Sequence, residues 1–160
     1  MEQTESIESV TVHAERDLDK LLDWIGKYDN RAAILFTLDT AMVGTLALRL
    51  NSSKFTAYNL LPIVASILLG ISVIGIAITI FPRLNGPKDS LIYFGSIAKM
   101  KKTEFKDSFV NMTKTRYLDD LLAQCHINAK ILDRKFKVFR ISLAISMVAV
   151  IFWSLSLYLL

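Results

Sequence analysis

Two long uncharged stretches dominate the pattern of hydrophobic and polar positions along the chain. One runs from Phe55 to Pro82 and the other from Ile141 to Leu160. As helices rising 1.5 Å per residue, both are long enough to cross the roughly 30 Å hydrocarbon core of a bilayer. A third segment, Ala32 to Leu48, is apolar except for Asp39 and is short for a crossing. Together they predict an all-α membrane protein with three transmembrane helices.

Two of these helices are expected to extend beyond the membrane. Before the first crossing, apolar residues recur every three or four positions, and the same row continues into the crossing. The row contains Ala14, Leu18, Leu21, Ile25, Tyr28, Ala32, Leu35, Asp39, Met42 and Leu46. A similar apolar row precedes the last crossing and contains Leu118, Leu122, Cys125, Ala129, Leu132 and Phe136. The spacing predicts two long helices whose outer parts form a helical bundle.

The chain between the second and third crossings is less regular. Proline and glycine from Pro82 to Pro87 predict the end of the second helix, and the residues up to Ala98 have no clear period. Thr103 is predicted to cap a short amphipathic helix that buries Phe105, Phe109 and Met112.

Basic residues predict the orientation in the membrane. Four Lys and Arg precede Ala32, two lie between Arg49 and Asn59, and thirteen lie between Arg83 and Arg140. Because cytoplasmic segments are enriched in Lys and Arg, we expect residues 1–31 and 83–140 in the cytoplasm. Residues 32–82 then form two crossings joined by a short outer loop, and residues 141–160 form the third crossing. This arrangement predicts an inner-membrane protein with its C-terminus outside.

The sequence argues against several kinds of chemistry. Cys125 is the only cysteine, and His13 and His126 are too few to complete a metal site, so neither a disulfide nor a metal is expected. There is no Ser-His-Asp, Cys-His or HExxH arrangement, and no glycine-rich phosphate-binding loop. We therefore expect no enzymatic activity, no cofactor and no DNA or RNA partner.

A mixed row of side chains lies beside the apolar row of the last helix. It contains Tyr117, Asp120, Gln124, Asn128, Ile131 and Lys135. Such a row lines a pocket or a seam between subunits, or it is an ordinary solvated face, and the pattern alone leaves both open. The nearby basic charge would attract an anion such as a nucleotide, with Tyr93 and Phe94 stacking on a base. Membrane topology alone explains the same charge.

Asp39 is the one charged residue in the first crossing. A carboxyl group at membrane depth is costly unless it faces a partner or water. It either lines a conduit for ions, as in a channel or transporter subunit, or fixes helix register through Ser66, Ser72 or Thr79.

Three short motifs, taken in order with the apolar segments, resemble those of the small membrane effectors of Pycsar antiphage systems. They are Tyr28-Asp29-Asn30-Arg31-Ala32-Ala33 before the first segment, Tyr93-Phe94-Gly95 after the second, and the row Tyr117, Asp120, Gln124, Asn128 with Lys135-Phe136 before the third. The family pattern usually has Lys where this chain has Arg31, which conserves charge but changes geometry.

The resemblance implies a defence effector that responds to a cyclic nucleotide by oligomerising or rearranging and impairing the inner membrane. A partner nucleotide cyclase would supply the ligand, a cyclic pyrimidine mononucleotide such as cCMP or cUMP, with a cyclic oligonucleotide as the alternative. The predicted ligand-binding residues are Arg31, Tyr93, Phe94, Tyr117, Gln124, Asn128 and Lys135. A channel or transporter subunit using Asp39, and a membrane anchor for a soluble partner, are the alternative functions.

Overall fold

A computed structural model describes residues 2–49, 60–81 and 86–159 of the chain. This part contains five helices and no strand: α1 (Glu2–Arg49), α2 (Leu60–Ile80), α3 (Phe94–Ile97), α4 (Lys102–Val110) and α5 (Lys114–Leu159). By length and composition, α1, α2 and α5 each hold a segment able to cross a membrane. The predicted all-α membrane fold class is confirmed. The predicted outer loop and the chain from Pro82 to Asn85 lie outside the described residues.

The described chain divides into two compact units. The polar unit contains the residues up to Gly26 together with Arg83–Asp133, and the apolar unit contains Lys27–Pro82 together with Arg134–Leu160. Helix α1 has 48 residues and α5 has 46, so each is about 70 Å long at 1.5 Å per residue. Both helices therefore have many more residues than a single crossing needs, as the sequence predicted.

In the apolar unit, α1 and α5 run parallel and α2 runs antiparallel to them. Asp39 of α1 contacts Ser146 of α5, and Thr45 contacts Trp153 one or two turns further along both helices. Tyr28 of α1, by contrast, contacts Thr79 near the end of α2. This up-down-up order is the one that three successive crossings produce.

Two apolar clusters flank a polar layer within this unit. One cluster is built on Leu46, Ala65, Leu69 and Ala149, and the other on Tyr28, Ala32 and Ile76. On each helix, buried polar residues lie between the two clusters in sequence. They are Asp39 on α1, Ser72 on α2, and Ser142 and Ser146 on α5. The large apolar side chains exposed on the outside include Ile34, Leu38, Ile67, Ile71, Ile74, Ile78, Met147 and Ile151. Such a surface suits contact with lipid.

The α1 row is buried as predicted, but the two rows of α5 are reversed. Ala14, Tyr28, Ala32, Asp39 and Leu46 are all buried on α1. On α5, Leu122 of the apolar row is 48% exposed, whereas Gln124 of the mixed row is 6% exposed. The polar groups of the mixed row have partners inside the fold: Asp120 accepts the Leu91 backbone N–H, and Gln124 donates to the Ser90 hydroxyl.

The short helix α4 corrects two predictions. It begins at Lys102 after the N-cap residue Lys101, which makes no side-chain cap, so the predicted capping role of Thr103 is wrong. No residue of α4 is buried, and Phe109 is 52% exposed. Phe109 is therefore not on a buried side of the helix.

Candidate functional site

A cavity of about 270 Å³ in the polar unit brings together four of the predicted ligand-binding residues. Its lining consists of Leu18, Leu22, Ile92, Tyr93, Phe94, Gln124, Asn128 and Ile131. Helix α1 supplies two leucines, α5 supplies the two amides, and the start of α3 supplies the aromatic rings of its N-cap Tyr93 and its first residue Phe94. The cavity thus combines apolar walls with a few polar groups, which is typical of small-molecule sites.

A tight turn held by Ser90 sets the position of the aromatic rings. Asp89 has a left-handed backbone with φ of 58°, a conformation that Asp tolerates better than most residues. The buried Ser90 Oγ then accepts hydrogen bonds from the backbone N–H groups of Ile92 at 3.2 Å and Tyr93 at 2.9 Å. The Asp120 carboxylate accepts the Leu91 N–H at 2.8 Å, which ties the same turn to α5.

The amides of Gln124 and Asn128 lie one turn apart on α5 and contact each other. Gln124 Nε2 donates to Ser90 Oγ at 3.4 Å. Asn128 Nδ2 donates to the Gln124 carbonyl oxygen at 3.0 Å and lies 3.5 Å from Gln124 Oε1. The two side chains are therefore oriented by neighbours before any ligand arrives, which lowers the entropic cost of binding.

The Tyr93 ring packs closely against two glycines, Gly86 and Gly95. A Cβ atom at Gly86 would overlap this ring, and one at Gly95 would lie 2.6–2.9 Å from its outer edge and hydroxyl. The Phe94 ring lies 4.9 Å from the Tyr93 ring at an angle of 55°. Within the described residues the buried Tyr93 hydroxyl has no hydrogen-bond partner. An unsatisfied buried hydroxyl is costly and is available to a bound molecule.

Charge is absent from the described lining of this cavity. An anionic ligand would therefore be recognised here through its uncharged part, by ring contacts and by hydrogen bonds with the amides.

Tyr117 lies at a different cavity of the polar unit, of about 310 Å³, lined also by Glu8, Glu15 and Lys114. The Tyr117 hydroxyl donates to Glu15 Oε1 at 2.8 Å, and this bond, with burial, raises the pKa of the phenol. Lys114 pairs with Glu8 and lowers the pKa of that exposed carboxyl. The carboxylates of Glu8 and Glu15 disfavour the binding of an anion in this cavity.

A third opening of the polar unit, about 540 Å³, is mainly an apolar groove beside Leu21, Trp24, Cys125 and Leu132. Cys125 is half-buried, its thiol lies 3.5 Å from the Ala14 carbonyl, and burial raises its pKa. A raised pKa keeps the thiol protonated and unreactive. Among the residues that the structure describes, no three His, Cys, Asp or Glu side chains are grouped as a metal site.

The predicted residues Arg31 and Lys135 belong to the apolar unit. Lys135 Nζ pairs with Asp29 and lies 5.3 Å from the centre of the Tyr28 ring. Tyr28 in turn contacts the Phe136 ring edge-on and donates a hydrogen bond to Thr79 at 2.8 Å. The motifs around residues 28 and 135 thus form one packed cluster, while Arg31 is exposed.

Asp39 lies in the polar layer with no exposed surface. Ser146 Oγ donates to Asp39 Oδ1 at 2.6 Å, whereas Asp39 Oδ2 has no partner in the described part of the chain. The predicted partners Ser66, Ser72 and Thr79 on α2 are wrong, because the contact goes to α5. Ser72 Oγ instead donates to the Ser142 carbonyl at 3.0 Å.

Sequence reasoning missed Ser90, Gly86 and the structural role of Asp120. A serine hydroxyl often accepts hydrogen bonds from backbone N–H groups two and three residues later, so the role of Ser90 in the turn could have been predicted from the sequence. Asp120 contacts Leu91, which is 29 residues away in sequence, and Gly86 lies against the Tyr93 ring outside any helix. No helical periodicity identifies either contact.

Comparison with known proteins decides the family. Residues 13–160 match the model of the Pycsar effector protein domain. The chain belongs to the Pycsar effector protein domain family. A curated relative of this Pycsar effector domain, the Pycsar effector protein GmPycTM of Gulbenkiania mobilis, is 35% identical over 60 residues. The match covers 38% of this chain and 31% of that relative. No solved structure matches the chain.

The predicted resemblance to Pycsar effectors is confirmed by this membership. The membership agrees with the three apolar helices, which are long and apolar enough to cross a membrane.

Proposed function

We propose that this Pycsar effector domain binds a cyclic pyrimidine mononucleotide in the cavity beside Tyr93 and responds by impairing the inner membrane of an infected cell. A nucleotide cyclase of the same defence system supplies the ligand, and the chain itself catalyses no reaction. The observation that carries the proposal is the pairing of two aromatic rings with two oriented amides in one cavity, Tyr93 and Phe94 with Gln124 and Asn128.

The side chains suit a pyrimidine base. An aromatic face stacks on a base, and the amides of Gln124 and Asn128 each offer donors and an acceptor. Because the pair contains both donors and acceptors, it offers partners to the Watson–Crick edge of either cytosine or uracil. The proposal therefore covers cCMP and cUMP without a preference between them.

The size of the cavity favours one nucleotide over several. Its volume of about 270 Å³ lies just below the usual range of small-ligand sites, about 300–1,000 Å³. A cyclic oligonucleotide is at least twice as large as a mononucleotide and would need a larger cavity. The cyclic phosphate has no cation among the described lining residues, so we place it at the open side of the cavity, in water.

For orientation, we propose that the polar unit lies in the cytoplasm and that the C-terminus lies outside. Thirteen of the nineteen Lys and Arg residues fall between Arg83 and Arg140, as the positive-inside rule requires of a cytoplasmic segment. A cytoplasmic sensor would meet a nucleotide made inside the cell.

Signal transfer requires that the ligand bind two conformations with different affinity. Helices α1 and α5 each supply residues to both units. We propose that ligand bound between α1, α5 and the Ser90 turn shifts these two helices and that the chains then oligomerise or rearrange in the membrane. Their crossing segments belong to the same continuous helices.

Proteoliposomes that contain the full chain and a trapped dye test the proposal. Addition of cCMP or cUMP is expected to release the dye, whereas cAMP, cGMP and a cyclic dinucleotide release much less. Gln124→Leu should weaken the response at least tenfold, and Asn111→Leu, which alters an exposed amide of the same unit, should leave it unchanged. No release with any nucleotide of this panel would refute the nucleotide response.

A second candidate function, conduction of cations through the membrane part, rests on Asp39. A fully buried carboxyl group, one oxygen of which has no partner among the described residues, is costly in a membrane segment, and such residues commonly mark ion pathways. If ions pass this layer, Asp39→Asn abolishes the preference for K⁺ over Cl⁻ in liposome flux. If Asp39 serves only to fix helix register, nucleotide-dependent release survives the substitution with unchanged ion preference.

A further inference from the structure

Two arginines of the apolar unit precede the crossing segments and are not used by the nucleotide site. Arg31 comes directly before the apolar segment of α1, and Arg140 comes directly before that of α5. Both are exposed, and among the described residues neither side chain forms an ion pair or a hydrogen bond. The acidic residues of this unit are Asp29 and Asp39, and both already contact side chains of α5. The two guanidinium groups therefore have no counter-charge within the described part of the apolar unit.

A ring contact shows that the two arginines lie side by side. Tyr28 of α1 and Phe136 of α5 meet edge-on, with their ring centres 5.6 Å apart. Arg31 follows Tyr28 by three residues, and Arg140 follows Phe136 by four. Residues three and four apart share one side of a helix, and α1 and α5 run parallel. Each arginine therefore lies one turn beyond the same contact, on adjoining sides of two packed helices whose axes are about 8–10 Å apart.

Exposed apolar side chains continue from the arginines along both helices, at intervals of three and then four residues. They are Ile34 and Leu38 on α1, and Leu143 and Met147 on α5. Helix α2 leaves this groove open, because it contacts α5 at Val138 and Ser142, which are next to Gly75. Val138 and Ser142 are each two positions from Arg140, so they point to nearly the opposite side of α5. Two positive charges thus lie at one end of an open apolar groove.

We propose that Arg31 and Arg140 together bind the phosphate of an anionic glycerophospholipid, one acyl chain of which lies in this groove. Arginine suits the phosphate because its planar set of donors matches the phosphate oxygens. A net anionic headgroup is favoured over a zwitterionic one, because two arginines without a counter-charge repel the cation of choline or ethanolamine. The apolar side chains of the groove then contact the acyl chain of the same molecule.

The combination of charge and apolar surface favours a lipid over other occupants. The groove belongs to segments that are long and apolar enough to cross a membrane, where acyl chains are the solvent. A helix of a second copy would cover Ile34 and Leu38, but its own arginines would add positive charge at the same level. A nucleotide would engage the arginines and leave the groove empty. Arg31 does not line the cavity beside Tyr93, so this inference is independent of the nucleotide proposal.

Photo-crosslinking of the full chain in vesicles tests the inference. The photoreactive residue p-benzoylphenylalanine replaces Ile34 in the groove or, as a control, the exposed Ile74 of α2. The two positions have a similar depth, because Ala32 packs with Ile76 and α2 runs antiparallel to α1. The vesicles contain phosphatidylcholine and phosphatidylglycerol in equal amounts, and the mass of the adduct identifies the captured lipid. We expect the ratio of captured phosphatidylglycerol to phosphatidylcholine to be about fivefold higher at Ile34 than at Ile74, or more.

Removal of the two charges provides the second arm. Arg31→Gln with Arg140→Gln should lower the ratio at Ile34 to that at Ile74, and Arg140→Gln alone should already lower it. Arg134→Gln removes the same charge from an exposed position on another side of α5 and should leave the ratio unchanged. Excess glycerol phosphate in the buffer should not reduce the capture of lipid.

Four results would overturn the inference. The first is an equal ratio at Ile34 and Ile74 in the otherwise unchanged chain. The second is an equal loss in Arg134→Gln and Arg140→Gln, which would indicate general attraction of anionic lipid to the basic chain. The third is competition by glycerol phosphate, which would indicate a site for free phosphate. The fourth is a crosslink from Ile34 to a second copy of the chain in place of lipid.

Discussion

The Asp120 carboxylate accepts the backbone N–H of Leu91 at 2.8 Å, and Leu91 is itself buried. Together with the hydrogen bond from Gln124 to Ser90, this contact holds the turn before Tyr93 and Phe94 against α5. A buried N–H without an acceptor would cost the full desolvation penalty of the group.

Asp120→Ala should therefore loosen the turn more than it affects the helix. We expect a loss of about 1.5–3 kcal/mol in local stability, the range for hydrogen bonds to charged groups. Hydrogen exchange of the amides from Leu91 to Ile97 measures it. Asp119→Ala is the matched control, because Asp119 is the neighbouring carboxylate and is exposed. Equal exchange in the two variants would contradict the anchoring role of Asp120.

Gly95→Ala should destabilise the polar unit through the Tyr93 ring. The added methyl group would lie 2.6–2.9 Å from the ring edge and hydroxyl, and overpacking of this kind costs about 1–3 kcal/mol. The thermal unfolding midpoint in detergent is expected to fall. In a Tyr93→Leu background the same substitution should cost much less.

Substitution of a control glycine, Gly26, is expected to change the stability in the opposite direction. Apart from its chain neighbours and the backbone of its own helix, no atom of the described residues lies within 4 Å of a Cβ at Gly26, which is exposed in the interior of α1. Gly26→Ala should stabilise the chain by about 0.5–1 kcal/mol, because alanine loses less backbone entropy in a helix. Equal thermal unfolding midpoints for Gly95→Ala and Gly26→Ala would show that the Tyr93 ring is not closely packed against Gly95.

Lys135 and Asp29 should behave as a coupled pair. Lys135 is nearly buried, so Lys135→Met leaves Asp29 without its partner, and Asp29→Asn leaves the ammonium group without its counter-charge. We expect each single variant to lose roughly 1–3 kcal/mol and the double variant to lose less than the sum. Lys130→Met, at an exposed position on the same helix, is the control. Strict additivity of the two losses would contradict the pairing.

Tyr117→Phe should show a cost that depends on pH. The hydrogen bond to Glu15 and burial raise the pKa of Tyr117 above its ordinary value of 10.0. A group whose pKa is raised on folding stabilises the fold fully below the unfolded pKa, and this contribution disappears as pH rises through the folded pKa. We therefore expect a loss of about 0.5–1 kcal/mol at pH 7 that shrinks above pH 10.

Unfolding midpoints of wild type and Tyr117→Phe at pH 7 and pH 11 measure this difference. Tyr158→Phe, at a tyrosine that is 87% exposed, should have no effect at either pH. A constant gap between wild type and Tyr117→Phe across this range would argue against the Glu15 contact.

Hydrophobic spacing was sufficient to predict the helices and one of their buried faces. The row from Ala14 through Tyr28 and Ala32 to Leu46 is buried because residues three and four apart lie on one side of a regular 3.6-residue helix. The same reasoning failed for α5, where Gln124 is buried and Leu122 is exposed. Periodicity ranks faces by apolar content and takes no account of backbone N–H groups that need acceptors.

The candidate site was predictable only in part for a related reason. Tyr93, Phe94, Gln124 and Asn128 were identified from chemistry and family resemblance, and the structure brings them to one cavity. The choice of Ser146 as the partner of Asp39 depends on the relative register of two helices 107 residues apart in sequence. A single sequence does not specify such a register, because hydroxyl groups on either neighbouring helix satisfy the same pattern.

The most direct test of the proposed sensor is equilibrium binding of cCMP and cUMP to the full chain in detergent. We predict saturable binding of at least one of the two by wild type. The double variant Gln124→Leu/Asn128→Leu should bind at least tenfold more weakly, a loss of about 1.4 kcal/mol, while Asn111→Leu binds as wild type does. Absence of binding by wild type, or undiminished binding by the folded double variant, would contradict the assignment of this cavity as the sensor.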